Sequence, residues 1–296
     1  MSNAIYKLIR GSAPLYYTWL EVMHTRLDIV LCGLSEDHSE EVVAELIAEV
    51  RRLEKRLNRF DKQSDLFYIN SHAQEHPLRL DKEMWGILDH CLQVKEQTYG
   101  YFDVCVATKG DYLLSESGAT VEFASPYTRI DLGGYAKGLA LEQIKKKLWM
   151  KGVENALINF GNSSVYAVGS MPFTDKGWQV AVEDIYRPSH SILDIALSNN
   201  SLSTSGNTGK SDTHIYSPIT GQKVEGEGAV SIICPSPLDS EVLSTALFAA
   251  ENMEEQVKIL EPFEHVEAYT IRYADPQSPP VVSLISGIAT EHARQE

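Results

Sequence analysis

The sequence predicts an α+β fold in which long helices pack on antiparallel sheets, as opposed to a doubly wound parallel sheet. Three observations carry that expectation. Two long amphipathic runs stand in the first hundred residues, a meander of alternating apolar and polar residues fills the stretch from about 155 to 234, and no internal repeat or low-complexity tract interrupts them.

Taken in order, TWLEVMHTRLDIVLCGL (residues 18 to 34) has strand composition and ends at a glycine. SEDHSEEVVAELIAEVRRLEKRLNRF follows as a long helix, with Val43, Leu46, Ile47, Val50, Leu53 and Leu57 at spacings of three and four and Ser39 as its N-cap. After a polar turn, KEMWGILDHCLQVKEQTYG reads as a second helix stopped by Gly100, and YFDVCVAT is a short strand-like or loop piece. DLGGYAKGLALEQI (131 to 144) ends an extended stretch, turns at a glycine pair and runs on as a helix through Lys147. ENALINF and SSVYAVG form a strand pair around Gly161, WQVAVED and HSILDIALSNNSLSTSG continue the alternation, and AVSIICP is one more strand. From Asp239 onward SEVLSTALFAAENMEEQVKILEPF is helical, and AYTIRY and PPVVSLI close the chain as strands.

With 296 residues, 43% hydrophobic and 23% charged, the chain has core volume for one large domain or two ordinary ones without covalent staples. A net charge of −15 argues against a nucleic-acid partner, since phosphate backbones are bound by Lys and Arg that displace counterions. The one lysine run, Lys145 to Lys147, falls at a helix C-terminus, where positive charge suits the macrodipole. Cys32, Cys91, Cys105 and Cys234 lie far apart with no C-x-x-C pair, so a zinc site is not expected. Buried thiols, no stretch of membrane-spanning length and no leader pattern together predict a cytoplasmic protein; a periplasmic or membrane-anchored one follows only if a leader has been removed.

Polar groups at the ends of elements are where chemistry is expected. Five such pieces stand out: Gly100-Tyr101-Phe102-Asp103, the opening DLGG-x-A-K-G, the turn in NFGNSSVYAVG, the Ser/Thr/Gly-rich stretch 203 to 221 with its single His214, and LDSEVLST. In the last, Glu241 and Thr245 are four residues apart on the first turns of a helix, so a carboxylate and a hydroxyl share one face. Oxygen ligands of that kind suit a hard cation such as magnesium. Each piece alone also has a purely structural reading: a carboxylate favoured at a helix N-terminus, a hydroxyl bonded to its own helix, a turn histidine, core aromatics, a plain strand-to-helix turn.

In sequence order, LNRFDKQSDLFYIN, GYFDVCV, DLGGYAKGLALEQ, INFGNSSVYAVG, STSGN, THIYSPITG and SEVLSTALF resemble the signature segments of the ApbE family, the magnesium-dependent FAD:protein FMN transferases. The resemblance spans residues 20 to 260 or so, and DLGGYAKG with THIYSPITG is its most specific part. It implies one T-fold-related α+β domain over residues 1–296 with a flavin groove, in which FMN passes from FAD to a threonine hydroxyl of a target protein and AMP is released. Carried over, it implies a catalytic His214; FAD contacts from Met23, Phe60, Tyr101, Phe102, Asp103, Asp131, Lys137 and Ile215; and Mg2+ held by the Gly134 carbonyl, Glu241 and Thr245, with Ser244 beside them. FAD and a flavin-accepting protein are the partners so implied.

The chain departs from the family's pattern in several places. His24 stands where the family has glycine in M-G-T, Asn162 replaces the second glycine of a Gly-Gly turn, Glu241 replaces an aspartate, Ser217 replaces an aspartate after the histidine, and the loop from Gly206 to His214 is short. Two further activities therefore stay open: FAD binding without transfer, and metal-dependent hydrolysis of FAD to FMN and AMP.

Overall fold

The computed structural model describes residues 5–7, 13–172, 176–187, 189–207, 215–224 and 227–286. The chain opens with strands β1 (Ile5–Lys7), β2 (Leu15–Val22) and β3 (Thr25–Cys32). The run expected as one strand is thus a hairpin: Met23 and His24 take φ values of 52° and 61°, the doubly left-handed turn that matches strand twist in a two-residue connection. Helix α1 (Glu36–Leu57) follows, and its N-cap is Ser35, four residues ahead of the expected Ser39. Ser35 Oγ accepts from His38 N at 3.3 Å, with Glu36 and Asp37 well placed against the helix dipole. Ser39 lies inside the helix, its hydroxyl donating to Ser35 O at 2.9 Å.

Helices α2 (Asp65–His72) and α3 (Lys82–Gln97) are capped by Ser64 and Asp81, and a small sheet of β4 (Leu78–Arg79), β5 (Tyr112–Ser115) and β6 (Thr120–Phe123) sits beside them. The segment YFDVCVAT makes no strand. Asp103 Oδ1 accepts from Cys105 N at 2.8 Å, a local turn that competes with extension, and a single 3-10 turn spans Val106–Thr108. Helix α4 (Ala136–Met150) leads into β7 (Asn155–Phe160), β8 (Ser164–Val168), β9 (Trp178–Glu183), β10 (Ser191–Leu197), β11 (Ser201–Asn207) and β12 (Gly228–Cys234). The helix expected from 240 onward is two: α5 (Pro237–Ala249) and α6 (Met253–Leu260), because Ala250 is extended and Asn252 caps the second by accepting from Glu255 N at 3.0 Å. Strands β13 (Glu267–Arg272) and β14 (Val281–Ser286) complete the described chain.

Among the described residues the main sheet has nine strands in the order β1-β2-β3-β7-β8-β11-β12-β13-β14, every neighbouring pair antiparallel. Alternate residues serve its two faces. Leu27, Ile29 and Leu31 of β3, Ile158 and Phe160 of β7, and Val230 and Ile232 of β12 join the large core under α1, α4 and α5. Val165, Leu202, Ala229 and Ile233 point the other way and are covered by the β9–β10 ribbon through Trp178, Ile195 and Leu197. All four cysteines are buried free thiols, and burial raises Cys32 to about 11 and Cys234 to about 12. No helix among the described residues is long and apolar enough to cross a membrane.

Helices α4 and α5 approach closely at one place. A Cβ on Gly138 would stand 2.7 Å from Glu241 Cβ and 3.0 Å from Pro237 O, distances a packed interior does not allow. Glycine there brings the first turns of both helices together at the end of the sheet.

Candidate functional site

At that end of the sheet lies a groove of about 1210 Å³, larger than the roughly 300–1,000 Å³ of small-molecule pockets and so wide enough for a dinucleotide. Its walls come from segments far apart in sequence: the β2–β3 hairpin tip, the end of α1 with Arg59 and Phe60, the loop 101–107, the turn 131–137, the ends of β11 and α5, and the strip Ile215 to Lys223. Met23, Phe60, Tyr101, Phe102, Asp103, Asp131, Gly134, Lys137, Ile215, Glu241 and Thr245 all line it. His214 lies outside the described residues; Ile215, which follows it in the sequence, lines the wall.

The turn DLGG is built by Asp131, whose Oδ1 accepts from Gly133 N at 3.0 Å while Arg59 Nε lies 3.2 Å from its Oδ2. Arg59 also stacks its guanidinium 4.3 Å from the centre of the Phe60 ring, which is 68% exposed at the mouth. Asp103 is a strut of the wall: besides Cys105 N, it pairs with Lys95 Nζ at 3.0 Å. Met23 N donates to Glu54 Oε1 at 2.5 Å, anchoring the hairpin tip to α1. Burial, with help from Glu255, pushes the Tyr101 phenol up to about 12, so it stays protonated at neutral pH.

The groove floor is the polar centre. Glu241, only 4% exposed, is ion-paired through Oε1 with Lys137 Nζ. Its Oε2 accepts from Ser164 Oγ and, at 3.0 Å, from Ser203 Oγ. Thr245 Oγ1 donates to Glu241 O at 3.2 Å, and a Cβ on Gly134 would stand 3.4 Å from that hydroxyl and 3.6 Å from Phe102 Cε2. Ser244 is fully buried behind the wall, bonded to Ser203 (3.1 Å), Ser205 (2.8 Å) and its own helix at Glu241 O (3.0 Å). Its hydroxyl therefore braces the site and does not line it.

This donor set fits a magnesium ion. It is made of hard oxygens, one carboxylate with neutral hydroxyl and carbonyl groups, and bare backbone at Gly134 leaves room beside Thr245. Among the described residues there is no group of three or more His, Cys, Asp or Glu suited to a metal. A single carboxylate is what an ion takes when most of its remaining ligands are water and substrate phosphate. Glu241, Thr245 and the Gly134 carbonyl would hold it, and Lys137 would contend with it for Glu241 Oε1.

At three of the departures from the family pattern the local backbone accommodates the change. His24 keeps the left-handed backbone that glycine would take, and Asn162, with φ of 57°, does the same beside Gly161. Ser217, buried, closes a tight turn by bonding through its backbone to Gly221 N (2.7 Å) and Gln222 O (2.8 Å). The sequence reading missed Ser164, Ser203, Ser205, Glu54, Arg59 and Lys223. The period-two serines of SLSTSGN in a core strand were the one signal for Ser203 and Ser205.

The ApbE family model matches residues 23–113 and 108–270. The FAD:protein FMN transferase of Haemophilus influenzae is 22% identical over 253 residues, covering 71% of this chain and 72% of that one. Among solved structures, the ApbE protein of Thermotoga maritima superposes with a TM-score of 0.78 at 21% identity over 91% of this chain and 96% of that one. The flavin transferase ApbE of Vibrio cholerae does so with a TM-score of 0.76 at 18% identity over 92% and 97%. These two structures have the same mixed α/β fold with antiparallel sheets.

Proposed function

The chain belongs to the ApbE family, and from that premise we propose that it is a magnesium-dependent transferase moving FMN from FAD to a threonine hydroxyl of a target protein, with release of AMP. The relatives named FAD:protein FMN transferase support flavin transfer. The observation that carries the reading is the meeting of Asp131, Gly134, Lys137, Glu241 and Thr245, from two segments far apart in sequence, on the floor of one dinucleotide-sized groove.

In the proposed step the acceptor oxygen forms a bond to the FMN phosphorus, the diphosphate P–O bond breaks, and AMP leaves with the bridging oxygen. The acceptor proton passes to His214, imidazole being the side chain that most often serves as general base near neutral pH. Magnesium, when bound, supplies charge neutralisation of the diphosphate. The chain's own residues do the rest: Lys137 places a point charge at the floor, Asp131 and Gly133 fix the turn, and Tyr101, Phe102, Met23 and Ile215 give the apolar surface on which a flavin ring lies. Phe60 and Arg59 offer a flat stacked surface at the mouth.

The test is to incubate the protein with FAD, Mg2+ and a threonine-bearing acceptor, with and without EDTA, following AMP release and covalent flavin by mass. EDTA-sensitive AMP with flavin on the acceptor, reduced 10²–10⁴-fold in His214→Ala, is the expected result. Free FMN and AMP without labelled acceptor would make the protein a FAD hydrolase, and bound FAD without AMP would make it a binding protein.

A further inference from the structure

Strand β11 carries Ser201, Ser203 and Ser205 toward α5, at the alternate positions where a core strand ordinarily places alkyl side chains. Ser201 is satisfied by Cys234 O at 2.8 Å and Ser240 Oγ at 2.9 Å, away from the groove. Ser203 differs: it reaches Glu241 Oε2 at 3.0 Å, and Ser164 of the neighbouring strand β8 donates to the same oxygen. Behind Ser203, Ser244 lies at 3.1 Å, Ser205 lies 2.8 Å from Ser244, and Thr245 Oγ1 is 3.3 Å from Ser205. A chain of hydroxyls thus runs from the back of the carboxylate round to the groove hydroxyl of Thr245. Burying hydroxyls in a strand costs free energy unless each finds a partner, and here the partner is a buried charge.

Building on the proposed transferase reading, we propose that Ser164 and Ser203 are positioning residues for Glu241. They hold Oε2 to the sheet, so Oε1 alone is turned into the groove and offered singly to a divalent cation in place of Lys137. Glutamate has one more rotatable bond than the aspartate of the family pattern, and the two hydroxyls remove the freedom that bond adds. The arrangement is specific to the longer side chain: an aspartate at 241 would fall short of these hydroxyls by a methylene.

The test is calorimetric titration of Mg2+ into the full protein saturated with ADP, an unreactive diphosphate, for wild type, Ser164→Ala, Ser203→Ala, the double variant and Ser203→Thr. Thermal midpoints in EDTA are recorded alongside. The double variant, which loses both charge-assisted hydrogen bonds to Oε2, is expected to bind Mg2+ at least about tenfold more weakly, a factor that corresponds to about 1.4 kcal/mol. Ser203→Thr, which keeps the hydroxyl, is expected to stay within twofold of wild type. In a Glu241→Asp background, Ser203→Ala is expected to change nothing further. Equal Mg2+ affinity in wild type and double variant, whatever the thermal midpoints do, would overturn the positioning role while leaving the transferase reading intact. Absence of Mg2+ binding by wild type would overturn the positioning role together with the metal dependence. Flavin transfer measured separately tells whether the transferase reading fails.

Discussion

Removing Lys137 tests the polar floor most directly. Lys137→Met keeps the length of the side chain and deletes the charge that faces Glu241 Oε1. Breaking a buried ion pair from one side costs about 3–5 kcal/mol, since the remaining charge is left in a poor solvent. The lower end applies here, because the Lys137 side chain is 22% exposed and Oε2 still has its two serine donors. A loss of about 3 kcal/mol corresponds to a fall of about 5 °C in thermal midpoint for a chain of this length. The assay is thermal and urea unfolding in EDTA, then with Mg2+. An ion at a hundred times its Kd returns about 2.7 kcal/mol, and more of it shows in the variant than in wild type, where the ammonium competes. The double variant Lys137→Met with Glu241→Gln is expected to recover most of the loss without metal, as no buried charge is left unpaired. A variant whose midpoint in EDTA lies within a degree of wild type would refute the reasoning, for the pair would then carry no energy.

Three more outcomes follow from the geometry. His24→Gly is expected to raise the thermal midpoint by about 2 °C, because a non-glycine residue in the left-handed region costs about 1–2 kcal/mol, of which glycine returns part as chain entropy; an unchanged or lower midpoint contradicts this. Gly138→Ala adds a methyl 2.7 Å from Glu241 Cβ, and overpacking of about 1–3 kcal/mol is partly offset by about 1 kcal/mol of helix propensity. Urea unfolding should therefore register a net loss of about 0–2 kcal/mol, and FMN transfer should fall at least about tenfold, the effect of a misplacement of about 1.4 kcal/mol. Burial lowers the pKa of His90, against the opposing influence of Asp239 and Asp89, and its Nδ1 lies 2.9 Å from Tyr135 OH. The unfolded chain takes up the proton first, so stability is complete above about pH 6.5 and declines as pH falls through that value toward the folded pKa. Unfolding free energy measured from about pH 7.5 down to about pH 5 should slope less in His90→Gln.

How much of this was legible in the sequence depended on the range of the interaction that decided it. Helix α1 was legible because its apolar positions repeat within a turn or two, yet its cap was not, since Ser35 and Ser39 both precede acidic residues and only the backbone shows which one is outside. The β2–β3 hairpin was missed because Met-His carries none of the Asn-Gly or Asp-Gly chemistry that marks such a turn. The fold enforces it instead, with Leu27, Ile29 and Leu31 needing the core face while Met23 N is tied to Glu54. The break between α5 and α6 was missed for the opposite reason: AAENMEEQ has strong helix formers throughout, and the one dissenting residue, Asn252, acts as a cap.

The groove residues were legible as a set only through the resemblance to the ApbE family, since each motif at an element end has a structural reading when taken alone. What surrounds Glu241 could not be, since Ser164 and Ser203 reach it from strands whose register is fixed by pairings elsewhere in the sheet. Within that limit, Lys137 and Gly138 act as a single device. Lysine supplies a cation at the groove floor, but it meets Glu241 only because the next residue has no side chain to hold α5 away. Moving either helix to admit a Cβ at 138 would also draw Glu241 off the serines behind it, so the charge, the close approach and the fixed carboxylate stand or fall together.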